Sequence, residues 1–174
     1  KIYKKASSKD TALIKKFKTL KNLKFLEFPK LGFYELNKIL KKINQLGGGI
    51  LLIDYGYLNP KNKSTIQSVL KHKKNNLFDN LGKADITHLV NFSLLREYFT
   101  KNNLEVKKIV SQKFFLEKMG INERANIISR KMSLMEKSKL YLRIKRLLDV
   151  NLMGNLFKVI FAYKFKKDNF LGFE

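Results

Sequence analysis

The clearest pattern in the chain lies in residues 31–46. There Leu36, Ile39, Leu40, Ile43 and Leu46 recur at intervals of three and four. That spacing puts them on one face of a helix, and Gly47 supplies its stop. The pattern then changes to an unbroken apolar run, Ile50 to Ile53, which ends on Asp54-Tyr55-Gly56. A short apolar run between turn residues predicts a strand over 50–54, buried on both faces. Polar residues at its C-terminal tip mark a candidate site, because open α/β sheets bind ligands outside the carboxyl ends of their strands.

From 57 to 91 no period is visible. The stretch holds Pro60, Asn75-Asn76 and Gly82, and it reads as a long loop with a short helix near 64–72. Long irregular stretches are functional or disordered, and its place directly after the strand tip favours function. A helix is expected from about 91, with Asn91 as N-cap and Phe92, Leu95 and Phe99 on one face. Asn102-Asn103 breaks it, and 104–110 reads as a second strand. Helices follow over 113–119 (stopped by Gly120), 122–131 (capped by Asn122) and 134–148. The last opens on Ser133 and Glu136, the spacing of a capping box. Met153-Gly154 turns the chain into an aromatic strand over 156–165, and the run 164–167 reads as a charged edge that discourages strand pairing.

Three strands are few for a sheet that must flank a fully buried one. The reading is therefore an α/β fold in which 31–174 forms one end of a larger sheet. Residues 1–30 read as a basic linker or a truncated domain edge. The first residue is lysine, not methionine, which reads as a fragment or a displaced start.

Composition removes several chemistries. There is no cysteine, so thiol catalysis, disulfides and thiolate metal sites are excluded. Only His72 and His88 offer imidazoles, too few for a self-contained transition-metal site. No apolar run approaches the ~20 residues of a membrane span. The net charge of +23 suggests an anionic partner. Yet all but five of the 37 basic residues are lysine, as A/T-rich codons would also give. Lysine is the poorer bidentate reader of phosphates and bases, and most aromatics fall in apolar strands and helix faces. Both points argue against nucleic acid as the ligand.

Several motifs fall in a recognisable order: GGILLIDYG at 48–56, Thr65-x-Gln67, His72, Gly82-x-Ala84-Asp85-Ile86-Thr87, Val90-Asn91-Phe92-x-x-Leu95, Gln112-x-x-Phe115-Leu116, Met119-Gly120-Ile121 with Arg124, and Met153-Gly154-x-Leu156-Phe157. In this order they resemble the MidA-like S-adenosylmethionine-dependent methyltransferases, the family of a mitochondrial complex I assembly methyltransferase. Glu27 and Pro29 echo a Glu/Pro segment of that family. Asn91 stands where the family usually has Asp. The family's glycine-rich cofactor loop has no counterpart here, since Gly47-Gly48-Gly49 precedes a strand, whereas such a loop follows one and opens a helix.

The resemblance implies the C-terminal part of a class I, Rossmann-like methyltransferase sheet with additional helices. It implies S-adenosylmethionine as cofactor, bound mainly by a half absent from this chain, so no residue here is assigned to cofactor or metal. It implies a protein substrate, arginine as methyl acceptor, a link to respiratory complex assembly, a separately encoded N-terminal half as possible partner, and a bacterial cytoplasmic or mitochondrial matrix location. An inactive remnant of a split gene and a basic binding module are the alternatives.

For the site, Asp54 could hold a substrate cation by charge-assisted hydrogen bonds or cap the next turn. Tyr55 could offer an aromatic face to that cation or pack in the core. The resemblance brings His72 into the substrate pocket; by itself, Lys71-His72-Lys73-Lys74 reads as solvated surface. Asp85 and Thr87 are a second acidic contact with its support, or a turn. These five are the expected catalytic residues. Gly56, Asn91 and Gln112 are the expected substrate-binding ones, with a tight backbone path, a helix cap and a strand-end cap as their structural alternatives. Arg124 and His88 are expected to be structural or exposed.

Overall fold

The computed structural model describes residues 5–60, 62–165 and 170–174. Lys166 and Lys167, half of the expected charged edge, lie outside them. Helix α1 (Ser8–Lys15), a 3-10 turn (Lys18–Leu20) and α2 (Lys30–Leu46) open the chain. Strand β1 (Gly48–Tyr57) follows α2 directly, because Gly47 ends the helix at φ 78°. Next come three short strands, β2 (Gln67–Leu70), β3 (Lys73–Asn75) and β4 (Asp85–Thr87), then β5 (Val90–Asn91) and α3 (Phe92–Lys101). The chain finishes with β6 (Glu105–Val106), β7 (Val110–Ser111), α4 (Gln112–Lys118), α5 (Ile121–Ser129), α6 (Leu134–Leu148), α7 (Met153–Leu156) and β8 (Phe157–Lys164).

The main sheet has the order β5-β1-β8-β6, with β7 also on β8. β1 and β8 form a long antiparallel pair from Gly48↔Lys164 to Tyr55↔Phe157. β5 runs parallel to the end of β1, at Gly56↔Val90 and Tyr57↔Asn91. A parallel neighbour needs a crossover, and residues 58–89 provide it. Gly56 makes the junction possible: a Cβ there would lie 2.2 Å from the Val90 carbonyl and 2.7 Å from the Phe92 ring.

One face of the sheet carries the core. Ile160 and Ala162 are fully buried against Leu40, Phe92, Leu94 and Phe99 of α2 and α3, with Ile50 and Leu52 packed beside them. Burying each large side chain contributes about 1.5–3 kcal/mol relative to exposure. Phe17 and Leu20 join this core, so the stretch read as a basic linker or truncated domain edge supplies part of it. Its 3-10 turn is held by Glu97 of α3, which accepts from the Lys18 and Thr19 backbone N–H groups at 2.7 and 2.8 Å. On the opposite face Val110, Phe115 and Val159 form a smaller cluster over β7 and β8.

Four expectations need correction. β1 is not buried on both faces: Ile50 and Leu52 pack against the core, whereas Leu51 and Ile53, which alternate with them, remain 45% and 43% exposed. The expected strand 104–110 is two pieces. Between Val106↔Ala162 and Val110↔Val159 the chain advances four residues while β8 advances three, which leaves one residue over, as in a β-bulge. Helix α5 starts from Gly120, left-handed at φ 79°, and Asn122 lies inside it rather than capping it. Residues 64–72 hold no helix. They begin an antiparallel meander of β2, β3 and β4. The caps at Asn91 and Ser133–Glu136 form as the sequence predicts.

The meander is an arm with little core of its own. Asn75 is its hub: Nδ2 donates to Ser68 Oγ at 3.1 Å and to the Asp79 carbonyl at 2.8 Å. Leu77, Phe78, Leu81 and Ile86 stay exposed on it. Leu70 pairs with Lys73 across a two-residue turn in which Lys71 and His72 both have positive φ, 48° and 63°. That is the backbone of a type I′ hairpin.

Candidate functional site

A cavity of about 350 Å³ opens where β1 ends. The start of α2 (Pro29, Gly32, Phe33, Leu36) forms one wall, and β5 with α3 (Val90, Asn91, Leu94, Leu95) forms another. Leu52 and Tyr57 come from β1, and Ile66, His88 and Leu89 from the two stems of the arm. The helical walls are fastened together behind the cavity. The Phe33 and Tyr98 rings stack at 3.9 Å, and the Tyr98 hydroxyl donates to the Phe33 carbonyl at 2.7 Å.

Most of this lining is apolar. Glu27 carries its formal negative charge. Its carboxylate accepts from the Thr65 N–H at 2.8 Å, the Thr65 hydroxyl at 2.5 Å and the Ser64 hydroxyl at 3.2 Å. Burial pushes the Glu27 pKa up, but the Thr65 and Ser64 bonds, helped by the field of His88, outweigh it and hold the carboxyl below its ordinary value. A carboxylate fixed in this way stays ionised in an apolar setting, because donors replace the lost water. Burial first, and then the Glu27 charge, push the Tyr57 phenol up, while a hydrogen bond with the Asn91 side chain acts in the other direction. The Thr65 hydroxyl also accepts from the Leu89 N–H at 3.0 Å, so one threonine joins both stems of the arm to Glu27.

The expected site residues are not brought together. Of them, only Asn91 lines the cavity, where its side chain also caps α3 by accepting from the Leu94 N–H at 3.0 Å. Asp54 is exposed, accepts from the Tyr55 N–H at 2.7 Å and faces Lys158 across the ladder. Tyr55 packs edge-on against Phe157, with ring centroids 5.5 Å apart. His72 sits exposed in the type I′ turn of the arm. Asp85 and Thr87 lie on β4, paired with Val69 and Gln67; the Thr87 hydroxyl is buried and finds no partner among the described residues. Gly56 acts through its missing Cβ. Gln112 is buried at the start of α4 and donates to the Leu147 carbonyl at 3.0 Å, tying α4 to α6. Arg124 is exposed on α5.

The sequence reading passed over Tyr57 and His88 as cavity residues and gave Glu27 no role. The Glu27-x-Pro29 echo was their only signal. Nothing local marks a glutamate 38 residues from its threonine partner.

The sheet, with a strand-end cavity between helices, belongs to the class of Rossmann-like methyltransferase folds. The chain matches, over residues 3–110, the family described as putative S-adenosyl-L-methionine-dependent methyltransferases, and it belongs to that family. It is similar to the mitochondrial protein arginine methyltransferase NDUFAF7 homolog of Caenorhabditis elegans, 32% identical over 89 residues that make up 51% of this chain and 21% of that one. To the Xenopus tropicalis protein arginine methyltransferase NDUFAF7 it is 31% identical over 98 residues, 56% of this chain and 22% of that one. The chain thus spans about a fifth of the length of these relatives. Two solved structures from Burkholderia thailandensis share the fold, each at 24% identity. An uncharacterized protein aligns with TM-score 0.66 over 78% of this chain and 38% of its own. A likely methyl transferase bound to S-adenosyl-homocysteine aligns with TM-score 0.62, covering 72% and 34%.

Among the described residues the positive-φ glycines precede β1 (Gly47, Gly48), lie in the arm (Gly82), join two helices (Gly120) or lie near the last residue (Gly172). None follows a sheet strand and opens a helix, the arrangement that holds a cofactor against a helix N-terminus.

Proposed function

We propose that this chain is the acceptor side of an S-adenosylmethionine-dependent methyltransferase, and that its cavity takes a cationic side chain of a protein substrate, with arginine as the favoured acceptor. One observation carries the reading: the Glu27 carboxylate, kept ionised by Thr65 and Ser64 beside an apolar cavity. Phe28, Phe33, Leu36 and Leu52 suit an aliphatic stem, and a fixed carboxylate suits the guanidinium at its end. Binding a side chain in one orientation is most of what an acceptor site must supply, because methyl transfer depends on alignment. The names of the relatives, protein arginine methyltransferases, support the same acceptor. A link to respiratory complex assembly and a mitochondrial or cytoplasmic setting belong to this proposal too. Among the described residues no helix is long and apolar enough to cross a membrane.

Two titrations test it. Calorimetry of the folded chain with S-adenosylmethionine should show no saturable binding, and saturable binding would overturn the division of labour. An arginine-containing peptide, followed by NMR, should shift resonances of Tyr57, His88 and Leu94, and Glu27→Gln should weaken that binding at least tenfold. Equal binding by the variant would remove Glu27 from the site.

A further inference from the structure

Helix α6 is 15 residues long, and none of them is buried. Helices in proteins draw most of their stability from packing an apolar face, so this one is under-covered. Leu140, Ile144, Leu147 and Leu148 share one side by helical spacing and are half-buried. Gln112 of α4 ties that side to the body by donating to the Leu147 carbonyl. Met135 and Leu142 lie on the opposite side, 68% and 64% exposed. Leu134 in the first turn and Ile127 of α5 are exposed as well. The Tyr141 hydroxyl donates to Asn126 Oδ1 at 3.1 Å and links the two helices.

The same segment is strongly cationic. Residues 121–148 hold eight basic side chains against Glu123 and Glu136, and Glu136 is taken up by its capping box with Ser133. None of the ion pairs among the described residues falls in this segment. Codon bias accounts for many lysines but not for where the few arginines fall. Four of the five, Arg124, Arg130, Arg143 and Arg146, are here. The guanidinium is the cation that pairs bidentately with phosphate. On the outer side of α6, Met135 and Leu142 stand among Ser138, Lys139 and Arg146, all exposed. Exposed apolar side chains set among cations are the chemistry of a helix at an anionic bilayer surface. Nucleic acid fits less well, because bases stack on aromatic platforms and Tyr141 is the only aromatic in 121–148. A second copy carries the same +23 and is repelled.

We infer that α5 and α6 form a peripheral docking surface for an anionic lipid bilayer. Met135 and Leu142 enter the boundary between headgroups and acyl chains, and the arginines meet the lipid phosphates. The helix lies on the bilayer and does not cross it. The inference stands apart from the acceptor-side reading, since neither helix contributes a residue to the cavity.

The chain has no tryptophan, so Leu142→Trp gives a fluorophore that reports this surface alone. Tyr34→Trp, at an exposed position of α2, is the control. Each variant of the whole chain is titrated with phosphatidylcholine vesicles, with and without phosphatidylglycerol. The expected result is a blue shift of the emission at position 142 with the anionic vesicles only, and none at position 34. A net charge of +23 attracts any anionic surface, so co-sedimentation must separate the site from the charge. The double variant Met135→Ser, Leu142→Ser keeps every charge and should bind anionic vesicles about tenfold more weakly or worse, with its far-UV spectrum unchanged. Lys41→Glu, exposed on α2, reverses one charge away from the surface and should cost less. No shift at position 142, equal shifts at 142 and 34, a serine variant that binds as tightly as the unaltered chain, or an equal loss from Lys41→Glu overturns the inference. A shift at position 142 produced by RNA or by an acidic polypeptide but not by vesicles overturns it in favour of that partner.

Discussion

Glu27→Gln is the substitution that most directly probes how the cavity is held. The carboxylate receives three hydrogen bonds from residues 64 and 65, at 2.5 to 3.2 Å. Hydrogen bonds to a charged group contribute about 1.5–3 kcal/mol each, and neutral ones about half that. A glutamine can turn its carbonyl toward Thr65 and keep part of the set, but its amide nitrogen then faces the Ser64 or Thr65 hydroxyl with weaker pairing. A loss of about 2 kcal/mol is expected at pH 7. For a chain of this size that corresponds to roughly 4–8 °C in Tm. The pH dependence has a definite sign. The folded-state pKa of Glu27 is depressed, so its contribution is fully present above the unfolded value of about 4.3 and is lost as pH falls through the folded value. Urea unfolding of both proteins between pH 7 and pH 3 should therefore show a gap that closes in acid. Equal stability at pH 7, or a gap of constant size down to pH 3, would refute the account of Glu27 as an ionised anchor.

Three further outcomes follow from particular contacts. Glu97→Ala removes the carboxylate that holds Lys18, Thr19 and its hydroxyl; it should cost about 2–3 kcal/mol and speed amide exchange across residues 17–20 before the rest of the core. Gly56→Ala drives a Cβ against the backbone of Val90, which no rotamer change can relieve, so a loss of about 3 kcal/mol or failure to express folded protein is expected. His72→Gly should raise stability by about 0.5–1 kcal/mol in thermal melts, since glycine accepts the positive φ of the hairpin turn that histidine holds under strain. If the same variant also abolished arginine-peptide binding, the turn would not be the whole role of His72.

Local signals in this chain were readable wherever the interaction they describe is itself local. The Leu36, Leu40 and Ile43 positions of α2, the Asn91 and Ser133–Glu136 caps and the Gly47 stop each involve residues within about one turn of each other, so spacing alone carries them. Ile39 and Leu46, expected on the same face, stay exposed because the core covers a narrower stripe of the helix. The arm shows where that reasoning fails. Lys71-His72 has none of the Asn-Gly or Asp-Gly chemistry that announces a type I′ turn, and its strands are held by Asn75 and its polar contacts rather than by an apolar period. Without a period, 58–89 looked like loop and short helix.

The candidate site divides in the same way. Sequence by itself determined that Asn91 would cap the next helix and, through the order of its motifs, which family the chain belongs to. Only the tertiary structure decided which side chains meet there. The tip residues Asp54 and Tyr55 do not line the cavity, while Glu27 enters it from a segment before α2 and is fixed by Thr65 from beyond β1. The exposure of Leu51 and Ile53 was likewise invisible, because an apolar run reads as buried whether or not another element covers it. Pairing across 38 residues costs loop entropy that no short pattern records. It is the packed sheet and helices that repay that cost and fix the partners.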